Sequence, residues 1–371
     1  MKLCLIYNFA QHYRANIFKL ISEEFDCDFV FGNTMGDVKK MDYSLLRGKV
    51  SEVKLRSIIR GWTWQSKVIP QLFKKYDSYI LLGETRSVSV WMFCLMQRML
   101  FPKKKVYFWT HGWYGKESRL EVLIKKVFLR LPNGGLFLYG NFARNLMIKE
   151  GFAQERLYVI HNSLAYDKQV KLRHQTTSSS IYTEHFNNHN YNLFFVGRLT
   201  PEKRIDLALK ALGRLLEQGS KYNLTIIGNG ETKKELEEMA ETLGLCNNVW
   251  FYGACYDERL LCELIYNADL CVSPGNVGLT AIHSMSFGTP VITHNDFSHQ
   301  GPEFEAIKIG KTGDFFKRNE IDSIVFCINE WFEGHSDKRE DVRNACYSEI
   351  DNSWNPYVQL DLLKKVLTQN G

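Results

Sequence analysis

The sequence predicts an α/β chain of two Rossmann-like, doubly wound domains facing a central cleft, and three observations carry that expectation. At 371 residues the chain is too long for one ordinary core and suits two. Two stretches alternate short apolar runs with helical periodicity, the rhythm of a parallel sheet wrapped by helices. Between them, HQTTSSSIYTEHFNNHNYN is polar and rich in Ser, Thr, Asn and His, and reads as a linker over residues 168–190.

In the first stretch the strands are expected at Leu3–Tyr7, Asp28–Gly32, Tyr79–Leu82, Val106–Thr110, Leu136–Tyr139 and Leu157–Ile160, within a domain spanning residues 1–167. The second domain, residues 191–350, opens on the strand LFFV from Leu193. Ile205, Ala208, Leu209, Leu212, Leu215 and Leu216 then mark one helical face before the strand Leu224–Ile227. Leu236, Met239, Ala240 and Leu243 mark the next helix, then Val249–Tyr252 a strand. Leu260, Leu261, Leu264 and Ile265 precede the strand Leu270–Ser273. After a loosely patterned region, residues 351–371 hold an amphipathic helix expected to pack back on the first domain.

Composition excludes several classes. Hydrophobic residues at 45% and charged residues at 24% are the balance of a folded chain. A net charge of +6 suits anionic ligands or an anionic membrane face, yet lacks the concentrated basic stripe of a nucleic-acid binder. Nine cysteines, without a C-x-x-C, read as free thiols rather than disulfides or zinc ligands. The opening MKLCLIYNF is too short an apolar run for a signal peptide, and nothing approaches the ~20 apolar residues of a membrane span. A cytoplasmic location is expected.

In open parallel sheets ligands bind beyond the carboxyl ends of the strands. There lies Gly197-Arg198-Leu199-Thr200-Pro201-Glu202-Lys203. Gly197 lets the chain turn, Arg198 offers a planar fork of donors to phosphate oxygens, and Lys203 adds a point charge. Two solvated cations capping a strand would look the same. Further on, Ser273-Pro274-Gly275-Asn276-Val277-Gly278-Leu279 runs from a strand through a glycine loop into the helix 280–287, whose first amides lack helical partners and suit an anion. A plain strand-to-helix turn is the alternative. Gly228-Asn229-Gly230 is a bare G-x-G without the third glycine of the dinucleotide fingerprint.

The order GRLTPEK, TIIGNG, NNVWFYG, NADLCVSPGNVGL and SFGTPVI resembles the C-terminal domain of family four of the retaining glycosyltransferases, the group 1 glycosyl transferases of GT-B fold. The match runs from about Leu193 to Phe316. It is looser earlier, at Thr110-His111-Gly112 and Asn162-Ser163. The resemblance implies that Arg198 and Lys203 hold the diphosphate of a nucleotide-sugar donor, with Gly197 and the loop Asn276, Val277, Gly278 and Leu279 beside it. It implies that Gly228, Gly230 and Gly253 border the base, and that His111 reaches from the other domain toward the transferred sugar. No metal and no cofactor beyond the donor is implied. The family has two glutamates separated by seven residues, the first on the sugar and the second on the ribose. Gly275 and His283 stand in their places, so the sugar contact is lost or passes to a neighbour such as Asn276, while His283 can exchange a hydrogen bond with a ribose hydroxyl.

Other features stay open at this level. Asp26-Cys27-Asp28 imitates a metal-binding D-x-D but begins a strand, and His294 and His299 around Asp296 lack a third ligand. Asn8–Arg14 and Glu84 follow strands where acceptor contacts are expected, although Arg14 reads equally as a surface charge. Leu120, Leu123, Val127 and Phe128 with Lys125, Lys126 and Arg130 draw a basic amphipathic helix, which suits either peripheral contact with the inner membrane surface or a core helix with a charged face. The expected activity is transfer of a sugar to a hydroxyl of a glycan or lipid-linked glycan, with retention, in polysaccharide biosynthesis. A catalytically lost relative acting as a scaffold and a nucleotide-sugar epimerase are the competing readings.

Overall fold

The computed structural model describes residues 1–34, 36 and 38–369, which form two compact units. The first takes residues 1–165 and the terminal stretch from Asn355; the second is Tyr166–Trp354.

In the first unit the strands are β1 (Lys2–Tyr7), β2 (Asp26–Gly32), β3 (Val50–Val53), β4 (Leu55–Ser57), β5 (Thr63–Gln65), β6 (Ser78–Leu82), β7 (Lys105–Thr110), β8 (Gly135–Leu138) and β9 (Leu157–Val159). Seven of them make a parallel sheet in the order β3-β2-β1-β6-β7-β8-β9, while β4 and β5 form a separate antiparallel pair. Both faces are covered, so the strands read as continuous apolar runs. Leu3, Leu5 and Tyr7 of β1 point into one core with Phe29, Phe31 and Trp109; Cys4 and Ile6 point into the other with Tyr79, Leu81 and Phe108. The helices are α1 (Ala15–Glu24), α2 (Val88–Leu100), α3 (Arg119–Leu129) and α4 (Asn141–Lys149). The α3 helix starts at a capping box of Ser118 and Glu121, which satisfies two end amides reciprocally.

The second unit begins with α5 (Tyr166–Gln175) and α6 (Ile181–Phe186), where the polar composition predicted a linker. These helices are tied down by few but strong contacts. Arg173 makes two hydrogen bonds to Asp351, at 3.1 and 2.6 Å, and Tyr182 is buried with its hydroxyl donating to the Leu264 carbonyl at 2.7 Å. Then come β10 (Tyr191–Val196), α7 (Ile205–Glu217), β11 (Tyr222–Ile227), α8 (Lys233–Thr242), β12 (Val249–Gly253), α9 (Glu258–Asn267), β13 (Leu270–Ser273), α10 (Thr280–Ser286), β14 (Val291–His294) and β15 (Gly313–Phe316). The six strands pair in parallel in the order β12-β11-β10-β13-β14-β15. That is the 3-2-1-4-5-6 order of a Rossmann domain, which reverses between β10 and β13. The loosely patterned region contains two full helices, α11 (Ile321–His335) and α12 (Arg339–Ser353). The last helix, α13 (Pro356–Gln369), packs on α1 in the first unit: Leu363, Val366 and Leu367 join Ile17, Phe18 and Ile21, and Lys364 pairs with Glu24 at 2.9 Å.

Candidate functional site

The strand order reverses between β10 and β13, and the loops leaving these two strands carry the expected cations and glycines. The β10 loop supplies Gly197, Arg198 and, in a 3₁₀ turn Pro201–Lys203, the lysine. The β13 loop supplies Gly275–Leu279 ahead of α10. These two loops lock together backbone to backbone. The Gly275 amide donates to the Lys203 carbonyl at 3.0 Å, and the Asn276 amide to the Glu202 carbonyl at 3.2 Å. A side chain at 275 would begin 1.9 Å from the Glu202 carbonyl oxygen, so this site admits only glycine.

Lys203 closes the lock, its ammonium donating to the carbonyls of Asn276 at 2.5 Å and Val277 at 3.4 Å. Burial pulls its pKa below the ordinary lysine value, the Glu303 carboxylate opposing and the Arg198 charge adding to the fall. Arg198 is exposed, and its guanidinium has no hydrogen-bond or ion-pair partner among the described residues. Gln300 braces the β13 loop from behind: its Oε1 accepts from the Val277 amide at 2.8 Å and its Nε2 donates to Thr293 at 2.8 Å. Val277 itself is fully buried, so neither its side chain nor its amide is open to a ligand. The amides of Gly278, Leu279 and Thr280 have no partner among the described residues and begin α10. Asn276 turns its Oδ1 to the Gly301 amide at 3.1 Å.

The glycine turns after β11 and β12 have a structural reason the sequence does not show. A Cβ on Gly228 would lie 1.9 Å from the Gly197 carbonyl oxygen, and one on Gly230 2.2 Å from that of Leu199. The G-x-G therefore lets the β11 loop nest against the β10 loop, and the Gly253 carbonyl accepts from the Gly228 amide at 2.8 Å. His283 on α10 is half-buried with its Nε2 3.1 Å from Glu258 Oε1. That oxygen also accepts from Gln169 at 3.0 Å. Burial pushes the Glu258 pKa up, but the hydrogen bonds from His283 and Gln169 outweigh it and bring the pKa down to about 2. Sequence reading missed Glu258, because an acid in the first turn of a helix is an ordinary companion of the helix dipole.

The other expected contact, His111, lies in the first unit at the end of β7. With Asn8, Arg14, Glu84 and Arg86 it lines a cavity of about 410 Å³ at the ends of β1, β6 and β7. Here too the strand order reverses, between β1 and β6. Arg14 is buried, not a surface charge, because the turn His12–Arg14 folds it under Tyr139, whose hydroxyl accepts from Nη2 at 2.5 Å. The His111 ring packs against Tyr139, 4.6 Å between centroids. The ring is open to solvent at the cavity, yet the protein around it disfavours an imidazolium and the Arg14 and Lys125 charges add to this, so its pKa is pushed down to about 4. The folded unit thus binds a proton at this site less readily than the unfolded chain. The contribution to stability is fully present above pH ~6.5 and is lost as the pH falls through about 4. An NMR titration of the His111 ring is expected to give a midpoint near 4; a midpoint between 6 and 7 would contradict this environment.

Among the described residues no group of three or more His, Cys, Asp or Glu can hold a metal ion. Asp28 of the D-x-D accepts from Tyr76 at 2.6 Å, and Asp296 pairs with His299 and Arg318 at 2.8 and 2.9 Å. All nine cysteines are free thiols.

A parallel sheet in Rossmann order, with cations and bare amides at its switch point, has the features from which anion sites at strand ends and helix starts are built. Residues 182–349 match the family model of glycosyl transferases group 1, and the chain carries a domain of that family. A glycosyltransferase of Methanocaldococcus jannaschii is 30% identical over 156 residues, 41% of this chain and 38% of that protein. The GDP-mannose-dependent alpha-(1-6)-phosphatidylinositol dimannoside mannosyltransferase of Mycobacterium tuberculosis is 33% identical over 103 residues, 27% of this chain and 26% of that protein. The chain thus spans well under half the length of these curated relatives. Among solved structures, Anabaena HepE in complex with UDP superposes over 100% of both chains with a TM-score of 0.73 and 15% identity. The lipopolysaccharide outer core galactosyltransferase WaaB does so with a TM-score of 0.72 and 15% identity. The likeness covers both units, and the fold is GT-B.

Proposed function

We propose that this chain transfers a sugar from a nucleoside-diphosphate donor to a hydroxyl of a glycan or lipid-linked glycan, with retention, in polysaccharide biosynthesis. The observation that carries the reading is the switch point of the second unit, where a guanidinium and three amides without partners among the described residues lie beside a half-buried ammonium. As the sugar–phosphate bond breaks, negative charge grows on the leaving diphosphate. Donors already fixed in place stabilise that charge more than they aid ground-state binding. Lys203 both supplies charge and holds the β13 loop so that its amides stay aimed. Glu258, steadied by His283 and Gln169, keeps Oε2 without a hydrogen-bond partner among the described residues and is suited to a ribose hydroxyl. His111 stays uncharged at neutral pH and offers the transferred sugar a hydrogen bond without a charge.

The family match and the relatives' printed donors support this reading: GDP-mannose for the mannosyltransferase, UDP-glucose for a HepE complex. The test is a thermal-shift panel of UDP, GDP and their sugars. The matching nucleotide at 100 times its Kd stabilises by about 2.7 kcal/mol through mass action. No shift with any nucleoside diphosphate would sink the proposal. Retention is read from the anomeric configuration of the product by NMR, and an inverted product contradicts it.

One observation favours a second reading, a catalytically lost relative: no carboxylate can stand at 275. Slow donor hydrolysis without acceptor, measured across the same panel, separates the two, since a scaffold binds the donor and releases no sugar.

Contact with the inner membrane surface is part of the proposal. No helix among the described residues is long and apolar enough to cross a membrane. Yet Met92, Leu95 and Met99 of α2 and Leu120, Leu123 and Val127 of α3 are exposed. The two helices touch through Trp91 and Phe128, 4.9 Å between centroids, with Arg98, Lys126 and Arg130 close by in sequence. Flotation with anionic liposomes at low salt is expected, and its absence ends this part of the reading.

A further inference from the structure

The first unit's cavity contains a cation whose cost the fold does not offset. Arg14 is 7% exposed, and its Nε and Nη1 have no hydrogen-bond partner among the described residues. Among the described residues no carboxylate pairs with it and its one polar side-chain partner is the Tyr139 hydroxyl, while the rings of Tyr7, Tyr13, Trp109 and Tyr139 surround it at 5.1–6.0 Å. Aromatic faces attract a guanidinium, but they do not satisfy its N–H groups. Burying a charge without a counter-ion is costly, and an apolar side chain of the same length would be cheaper.

The charges around the cavity point the same way. The Arg86 guanidinium, on the same wall, has no hydrogen-bond or ion-pair partner among the described residues and lies over Gly61. Lys125 is neutralised by Glu117 at 2.7 Å. The opposing carboxylate, Glu84, is held by the Asn8 amide at 3.1 Å, which leaves Asn8 Oδ1 as an unpartnered acceptor in the same wall. Two unpaired cations against one carboxylate, beside an amide and aromatic rings, make a site for a polar ring that carries negative charge. The volume of about 410 Å³ lies within the range of small-molecule sites.

We propose that this cavity binds a sugar bearing an oxyanion, carboxylate or phosphate, seated on Arg14. The binding stands on the cavity alone. Its assignment as the acceptor site rests on the transferase reading, and it makes the acceptor an acidic sugar.

The test is titration of the full chain, without nucleotide, with glucuronate, glucose 6-phosphate and glucose, followed by ligand-observed NMR. An anionic sugar is expected to bind roughly 10- to 100-fold more tightly than glucose, the worth of a charge-assisted hydrogen bond. Glucuronate alone identifies a carboxylate, glucose 6-phosphate alone a phosphate, and both a general oxyanion site. Equal or stronger binding of glucose, or no binding of any of the three, overturns the proposal. Arg14→Met is expected to remove the preference for charge while leaving the melting point unchanged or raised, and to leave the thermal shift with UDP or GDP intact. A Met variant that keeps the preference also overturns it. Should that variant fail to fold, the wild-type comparison of charged and neutral sugars still decides. Failure here with nucleotide binding intact removes the acidic acceptor and spares the transferase, whereas loss of nucleotide binding removes the transferase and spares the oxyanion site.

Discussion

Arg198→Ala is expected to lower turnover about a hundred- to thousandfold, the usual cost of removing one donor aimed at developing charge. Because Arg198 is exposed and its guanidinium makes no hydrogen bond or ion pair with another described residue, the variant should fold as well as the parent, within about 0.5 kcal/mol. The loss should appear in kcat and kcat/KM together, marking an interaction made mainly in the transition state. Arg198→Lys should recover only part of it, since an ammonium lacks the planar fork that spans two phosphate oxygens. A folded Ala variant with unchanged turnover would show that the guanidinium stands outside the site.

The second large effect is expected from Gly275→Glu, which writes the family's sugar-contacting glutamate back into the chain. The resemblance suggests a gain; the geometry predicts a loss. The new Cβ would start 1.9 Å from the Glu202 carbonyl oxygen, a distance no rotamer relieves. The β13 loop must retreat, breaking the two backbone bonds that join it to residues 202 and 203 and drawing its carbonyls off Lys203. Overpacking of this kind costs about 1–3 kcal/mol, occasionally more. In a domain of this size each kcal/mol is worth about 2–4 °C of melting temperature. Donor binding should fall with it, because the amides at 278–280 move with the loop. Gly275→Ala carries the same Cβ and should show the same collision, without the further bulk of the glutamate. A glutamate variant that melts like the parent and turns over faster would refute the backbone lock.

How much of this the sequence shows depends on whether a feature is periodic. The run LFFV of β10 and the apolar face of α7 are legible because parallel strands are buried on both sides and helices bury a stripe, and both patterns repeat. The 168–190 stretch misleads for the opposite reason. Its helices α5 and α6 bury only Gln169 and Tyr182 and are held by Arg173 and Asp351, contacts that leave no stripe to read. The region after β15 is misjudged in a similar way, since α12 spreads its buried residues thinly among charged ones. In the site, Arg198, Lys203 and the glycine loop are local in sequence and could be picked out as a group. The partners that give them meaning are distant: Gln300 behind Val277, Glu258 behind His283, Tyr139 over Arg14. Whether Arg14 is a surface charge or a buried cation is decided 125 residues away.

The most direct measurement follows the backbone amides of Gly278, Leu279 and Thr280 by nitrogen-edited NMR while UDP or GDP is added to the whole chain. These groups stand at the head of α10 with no partner among the described residues, so a diphosphate seated there must shift them. The account predicts that all three resonances move together and saturate with the same Kd as the nucleotide. Resonances that stay in place at saturating nucleotide, or that leave residues 278–280 silent while others respond, would contradict it.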